Sequence, residues 1–367
     1  MTFYLGVAME FAYRFPVVRG VQAKKEYYIA MVPLKMLEKL FPNDDEYVLP
    51  EYRAQRKLNE NRIPTISQYI LTNRDNYVFS ALSASIDGEF IFHPANENIN
   101  CGVLEVSLDA KFLINDGQHR RAAIIEAINE DSSLGNETIS IVFFEDNGLA
   151  RSQQMFTDLN KHAVKTSNSI SELYDSRDNL AVVTRSVVSE VPFLEKYTDK
   201  EKDILGKYSA TLFTLNTIYN ANKRIIRKRS SSLEAEEFLK KYWKCISDHM
   251  LLWHELENHE ITKIDLREQY LVTQAVIIQA LGRLGNYFYE HPEIEMFNVL
   301  KKLEKIDWSR GAALWKQRVI KSNGRMINNE TAIILACNVI KSEIGIKLDS
   351  EEQHREDSLR KSVTNYV

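Results

Sequence analysis

The sequence predicts an α+β chain: an α/β domain over residues 1–165, a mostly α-helical domain over 166–349, and a charged, frayed tail over 350–367. Three observations carry that reading. Up to about Phe144 the chain alternates β-branched and aromatic runs with turn signals. From about Ser167 onward apolar residues recur at helical spacing. The 367 residues are 44% hydrophobic, enough for a large core or two ordinary ones, and 13 glycines and 8 prolines are too few for a linker-rich or disordered chain.

Residues 27–32 are an apolar and aromatic run with β character, and Pro33 suits the first turn of a helix over 34–41. Arg62-Ile63-Pro64-Thr65-Ile66 leads into a helix over 66–72. Strands are expected over 77–83 and 89–92, and Asp87-Gly88 between them predicts a hairpin. A further strand is expected over 102–108. Phe112-Leu113-Ile114-Asn115 then meets a tight turn, after which Ala123, Ile124, Ala127 and Ile128 share one helical face. Residues 138–144 form a strand and 149–160 a helix. In the second domain Ser169-Ile170-Ser171-Glu172 has capping-box spacing. Helices are expected over 170–190, 208–226, 232–256, 266–288, 294–304, 311–321 and 328–345, with no repeat of fixed period.

A net charge of −4 draws the molecule as a whole onto neither DNA nor an anionic membrane, so any nucleic-acid contact rests on local basic patches and is salt-sensitive. Cys101, Cys245 and Cys337 are far apart and odd in number, which argues against a disulfide scaffold or zinc ribbon and for a reduced cytoplasm. The first residues carry no basic stretch followed by an apolar one, and no apolar run reaches the ~20 residues of a membrane span. His249, His254 and His259 spiral around a helix instead of sharing a face, so no metal site is expected. Trp243, Leu252, Trp253 and Leu256 read as core. Walker A, G-x-S-x-G and H-E-x-x-H patterns are absent.

Two stretches carry chemistry. In Asn115-Asp116-Gly117-Gln118-His119-Arg120-Arg121-Ala122-Ala123-Ile124, a β-like run gives way at Gly117 to a helix start. Backbone N–H groups at that start, the helix dipole and the guanidiniums of Arg120 and Arg121 suit a phosphate, with Gln118 and His119 at the same mouth. The plainer alternative is a D-G turn followed by a solvated basic helix. In Lys223-Arg224-Ile225-Ile226-Arg227-Lys228-Arg229, five cations occupy seven positions with no acidic neighbour until Glu234. Lys223, Arg224, Arg227, Lys228 and Arg229 are the DNA-contact candidates, extended by Lys240, Lys241 and Lys244; a solvated helix end is the alternative.

The string Asp116-Gly117-Gln118-His119-Arg120 resembles the DGQHR family of bacterial proteins, which includes the DndB regulators associated with DNA phosphorothioate (sulfur) modification. It is also similar to the phosphate-binding box of ParB-type proteins and sulfiredoxin, which sits at a strand-to-helix turn. The resemblance implies a ParB/sulfiredoxin-like N-terminal domain in which Gly117, Gln118, His119 and Arg120 contact nucleotide phosphates. Gln118-His119 stands where ParB has a Glu-Arg pair, leaving open the nucleotide (ATP or CTP with Mg²⁺) and any hydrolysis. It also takes the place of sulfiredoxin's cysteine, which argues against that chemistry.

Phe156-Thr157-Asp158-Leu159-Asn160-Lys161 and the following Lys165 resemble a second family segment. Asn160, Lys161 and Lys165 are thereby phosphate-site candidates, although a helix C-cap explains the first two equally well. Arg56 and Arg62 match an upstream segment and face the same cleft or solvent. The likeness is specific over about residues 50–170. It implies a DNA-binding transcriptional regulator acting on promoter DNA, alone, as a homo-oligomer, or with other sulfur-modification proteins. The alternatives are a nucleotide-hydrolysing or nuclease component using Asp116 and His119, and a non-catalytic assembly factor.

Overall fold

The computed structural model describes residues 11–42, 60–95, 98–146, 154–155, 157–159, 166–227 and 233–364. Contacts divide the chain into two compact units, Met1–Val164 and Lys165–Val367.

The first unit is organised by alternating burial. In β1 (Ala12–Gln22) Phe15 and Val17 point inward, and in β2 (Lys25–Pro33) Tyr28, Ala30 and Val32 do. Ala23 and Lys24 join them, both at positive φ (52° and 63°), which matches the right-handed twist of the paired strands. β3 (Leu82–Asp87), β4 (Phe90–Ala95), β5 (Asn98–Ser107), β6 (Lys111–Asp116) and β7 (Thr138–Glu145) complete a seven-stranded sheet in the order β4-β5-β1-β2-β7-β3-β6. β3 and β7 are parallel; the other neighbours are antiparallel.

The helix α1 (Leu37–Leu40) follows a short 3-10 turn after Pro33. α2 (Ile63–Thr72) and α3 (Gln118–Glu130) pack on each other, and Ile70, Ile124 and Ala127 join the apolar cluster formed by Ala84, Ile114, Ile139, Ile141 and Phe143.

The hairpin expected at Asp87-Gly88 does not form. Gly88 bends the chain at φ 141°, but β3 pairs with β6 and β7 while β4 pairs with β5. The reason is burial: Ala84, Ser85 and Ile86 are buried in succession, the mark of a strand with neighbours on both sides rather than one arm of an exposed hairpin.

The second unit is helical: α4 (Asn168–Tyr174), α5 (Asn179–Glu190), α6 (Pro192–Tyr197), α7 (Leu215–Ile226), α8 (Leu233–His249), α9 (Leu251–Glu257), α10 (Lys263–Gln269), α11 (Ala275–Glu290), α12 (Met296–Leu300), α13 (Glu330–Ile344) and α14 (Ser350–Thr364). A two-residue pair, β8 (Thr198–Asp199) with β9 (Phe213–Thr214), precedes α7.

Of the helices expected as single pieces, that over 170–190 divides at a polar cap, those over 232–256 and 266–288 divide at Met250 and before Ala275 with no side-chain cap, and that over 208–226 begins only at Leu215. Asp178 accepts from the amides of Leu180 and Ala181 and begins α5; Thr214 begins α7; Thr262 and Asp265 form a reciprocal capping box at α10. The box expected at Ser169–Glu172 is displaced: Ser167 caps α4, and Ser169 is instead buried against Asp203. Residues 311–321 hold only a 3-10 turn at Ala313–Trp315, because Gln317 sits at φ 64° and the chain folds back through bridges from Ile320 to Lys316 and Met326. The charged segment expected to fray from Ser350 forms α14.

α11 is the central helix of this unit, packed on both α7 and α13. A Cβ at Gly282 would lie 2.7 Å from the Ala221 carbonyl oxygen and 2.8 Å from its Cα, so α7 and α11 meet backbone to backbone. Trp243 donates to Asn222 at 2.7 Å, and Asn222 donates to Thr184 at 3.0 Å, joining α8, α7 and α5 through buried polar atoms. Gly282→Ala is expected to cost about 1–3 kcal/mol by forcing these helices apart. Denaturant titration checks this, and an unmoved midpoint would mean that the crossing is not held that tightly.

Candidate functional site

Asp116 ends β6, Gly117 makes the turn, and Gln118 begins α3. Gly117 sits at φ 101°, in the left-handed region, and a Cβ there would lie 2.4 Å from Leu82 Cδ2. No other residue suits the turn without displacing β3 or straining the backbone. No side chain caps α3. Asp116, Gln118, His119 and Arg120 are all part-exposed around the positive end of a 13-residue helix.

The two arginines have separate environments. Arg120 donates to the carbonyls of Ser80 (2.7 Å) and Ala81 (2.8 Å), to the Ser80 hydroxyl, and to Asp116 one turn back. It thereby ties the start of α3 to the residues that enter β3. Its charge is balanced by Asp116, so the attraction this mouth offers an anion falls mainly to the helix terminus. Arg121 points into the core, is 9% exposed, and donates to the Phe41 carbonyl; burial pulls its proton affinity below the usual guanidinium range. Asn115 is also buried, donating to Ser85 at 2.7 Å. Arg62 is exposed at the start of α2, which packs on α3. Arg56, Asn160, Lys161 and Lys165 lie outside the described residues.

The model of the DndB family, described as DNA-sulfur modification-associated, matches residues 15–347, nearly the whole chain. The chain belongs to the DndB family. No curated protein and no solved structure matches it. The DndB model spans the DGQHR turn and most of the helical unit alike, so the association with DNA sulfur modification attaches to the chain as a whole.

In this DndB-family chain the basic run of the helical unit is less uniform than its letters. Lys223 and Arg227 are exposed at the end of α7, where Arg227 closes the helix at φ 51°. Arg224 is drawn inward: it donates through both terminal nitrogens to Glu330 at 2.7 Å and through Nε to Gln279 at 2.8 Å. That pairing holds the Glu330 carboxyl below the usual range. Lys240 is paired with Glu190 and Glu236, and Lys244 with Asp248. Lys228 and Arg229 lie outside the described residues.

The helical unit also holds a cleft of about 410 Å³ that the sequence reading missed, lined by Glu172, Asp175, Asp178, Asn216, Tyr219 and Asn220 among others. Tyr219 donates to Asp178 at 2.6 Å, and its own hydroxyl is pushed above the usual range by burial and by that carboxylate. Glu172 is pushed up to about 8, first by burial and then by the nearby Asp203 and Asp178, and its Oε2 is buried without a partner. The sign of this lining disfavours a phosphate. Among the described residues no His, Cys, Asp and Glu group is arranged to hold a metal ion, and no helix is long and apolar enough to cross a membrane.

Two outcomes follow from this geometry. Arg120→Ala is expected to lower stability by about 1.5–3 kcal/mol, because charged donors to Ser80, Ala81 and Asp116 are lost at once. Unfolding curves measure it, and a variant as stable as the parent would free Arg120 for a purely ligand-binding role. For Glu172, the folded chain holds the proton more tightly than the unfolded one, whose carboxyl titrates near 4.5. The stability it contributes is therefore complete below about pH 4.5 and is lost as pH rises toward 8. Glu172→Gln should flatten the melting-temperature profile across that window and melt higher than the parent at pH 8; a parallel profile would contradict the assignment.

Proposed function

We propose that this DndB-family chain is a DNA-binding regulator of DNA sulfur-modification genes, working in the cytoplasm on duplex DNA upstream of those genes. The observation that carries the reading is the family match over residues 15–347. Two features of the fold support it. The exposed Lys223 and Arg227 give the helical unit a cationic helix end, suited to phosphates and not to base reading. The β6–Gly117–α3 turn has the strand-to-helix form of a ParB/sulfiredoxin-like phosphate seat, with an uncapped helix terminus beside Gln118, His119 and Arg120. On this reading a nucleoside triphosphate, ATP or CTP with Mg²⁺, binds at the turn and modulates DNA affinity. Other sulfur-modification proteins or a second copy of the chain are the partners this role would use.

The test is fluorescence anisotropy of the purified protein on its own upstream duplex and on unrelated duplex, across a salt series, with and without ATP or CTP. Binding is expected to weaken linearly on a log–log salt plot. Lys223→Ala with Arg227→Ala should lower the slope by about 2, one unit for each phosphate contact. No retention on either duplex at low salt, or nucleotide turnover in place of DNA binding, would overturn the regulator reading.

A further inference from the structure

α14 is attached to the helical unit in an unusual way. A surface helix ordinarily buries an aliphatic stripe. Among its described side chains, those α14 buries are two carboxylates, Glu352 (2% exposed) and Glu356 (5%), one turn apart, with Leu359 only half-buried beside them. Three cations from other elements meet them. Lys341 of α13 donates to both Glu352 oxygens at 2.7 and 2.9 Å. Arg318 donates to Glu356 at 2.6 Å, and Arg283 of α11 lies 3.8 Å from Glu352.

Two of these cations also have partners outside the helix that covers them. Lys341 is itself buried and also sits over the Tyr287 ring at 4.9 Å, while Arg318 is held by the Leu314 carbonyl at 3.2 Å. The same neighbourhood continues toward α7: Glu330, at the start of α13, is paired with Arg224 and feels Arg283 and Arg355 as well. Ion pairs thus link the surroundings of α14 to the helix that carries Lys223 and Arg227. α14 lies beyond residue 347, where the family match ends.

We propose that α14 is an acidic plug in a cationic groove that accepts a nucleic-acid backbone, with Glu352 and Glu356 standing where two successive phosphates of a DNA strand would lie. Two carboxylates at i,i+4 are about 5–6 Å apart at their Cβ atoms, close to the spacing of neighbouring phosphates. Displacing the helix leaves Arg283, Arg318 and Lys341 lining a groove without counter-charges, a state that a polyanion stabilises and water alone does not. An attachment made of ion pairs yields to competing anions more readily than an apolar one. This inference rests on the DNA-binding reading above and adds to it a site and an autoinhibitory contact.

The experiment compares the parent with Glu352→Gln/Glu356→Gln on a duplex of unrelated sequence, by anisotropy across a salt series. The double variant keeps the side-chain size and the helix but removes the competing charge. It is expected to bind at least tenfold tighter, with a salt slope steeper by about 2–3, and adding Lys341→Ala should reverse part of that gain. Hydrogen exchange on the parent supplies a second readout that needs no variant: saturating duplex should raise exchange in residues 350–364.

A parent that binds DNA, with a folded double variant of the same affinity and slope or with α14 equally protected when DNA is bound, would reject the plug and leave the regulator reading intact. Failure of parent and variant alike to bind DNA would overturn both. A parent that binds weakly beside a variant that binds tightly would support the plug most directly.

Discussion

A guanidinium or ammonium taken out of water loses hydration worth several kcal/mol, and a fold keeps it there only where acceptors replace the lost water. In this chain that constraint decides where the notable cations point. Arg120 is surrounded by the Ser80 and Ala81 carbonyls and by Asp116; Arg121 reaches the Phe41 carbonyl; Arg224 finds Glu330; Lys341 finds Glu352. Each of these contacts except Arg120 to Asp116 and Lys341 to Glu352 bridges elements distant in sequence, so these cations are tie-points of the fold. The β6–α3 turn depends on this most directly. Gly117 permits its geometry, and Arg120 fixes it against the entry to β3.

Much of the sheet was legible because alternation is a local signal. The runs of β2 and β7 and the aliphatic approach to Gly117 declare themselves in the letters, as does the helical face of Ala123, Ile124 and Ala127. β1 was not read: Arg14, Pro16, Arg19 and Gly20 interrupt its apolar letters, yet the strand forms because β2 and β5 pair along both its sides. The false hairpin at Asp87-Gly88 has the same root, since a turn signal states where the chain bends and not which strands then meet.

The site was legible to the same limited depth. The placing of Asp116 to Arg120 at a strand-to-helix turn follows from contiguity. That Arg121 would turn inward, and that Glu330 would claim Arg224 from 106 residues away, has no local signature. The cleft beside Glu172 was missed for that reason too, because Asn216, Tyr219 and Asn220 lie more than forty residues from Glu172 in sequence.

The electrostatics of the regions differ in sign and so in the ligands they favour. The cleft at Glu172 carries carboxylates and amides, and its buried, partnerless oxygen sets a pH-dependent cost on the helical unit. At the DGQHR mouth Asp116 and Arg120 cancel, leaving the helix terminus as the source of positive potential, which acts only within the first turn. On the proposed reading, that would favour a small anionic group at the turn over an extended one. A DNA backbone, with charge spread along its length, gains most from a row of cations.

On the plug reading, this difference also sets selectivity. Glu352 and Glu356 are tethered to the groove they fill, so they compete at an effective concentration in the millimolar range or above. A single nucleotide brings few charges and releases few counterions, and it cannot easily displace an intramolecular pair of carboxylates. A duplex neutralising several phosphates along the groove and the adjoining end of α7 gains a counterion-release term with each one. An acidic chain of net charge −4 would then hold its affinity in reserve for long polyanions, while the α3 terminus stays available to a small phosphate. The two ligands need not compete, because the groove is closed to the one that the turn can hold.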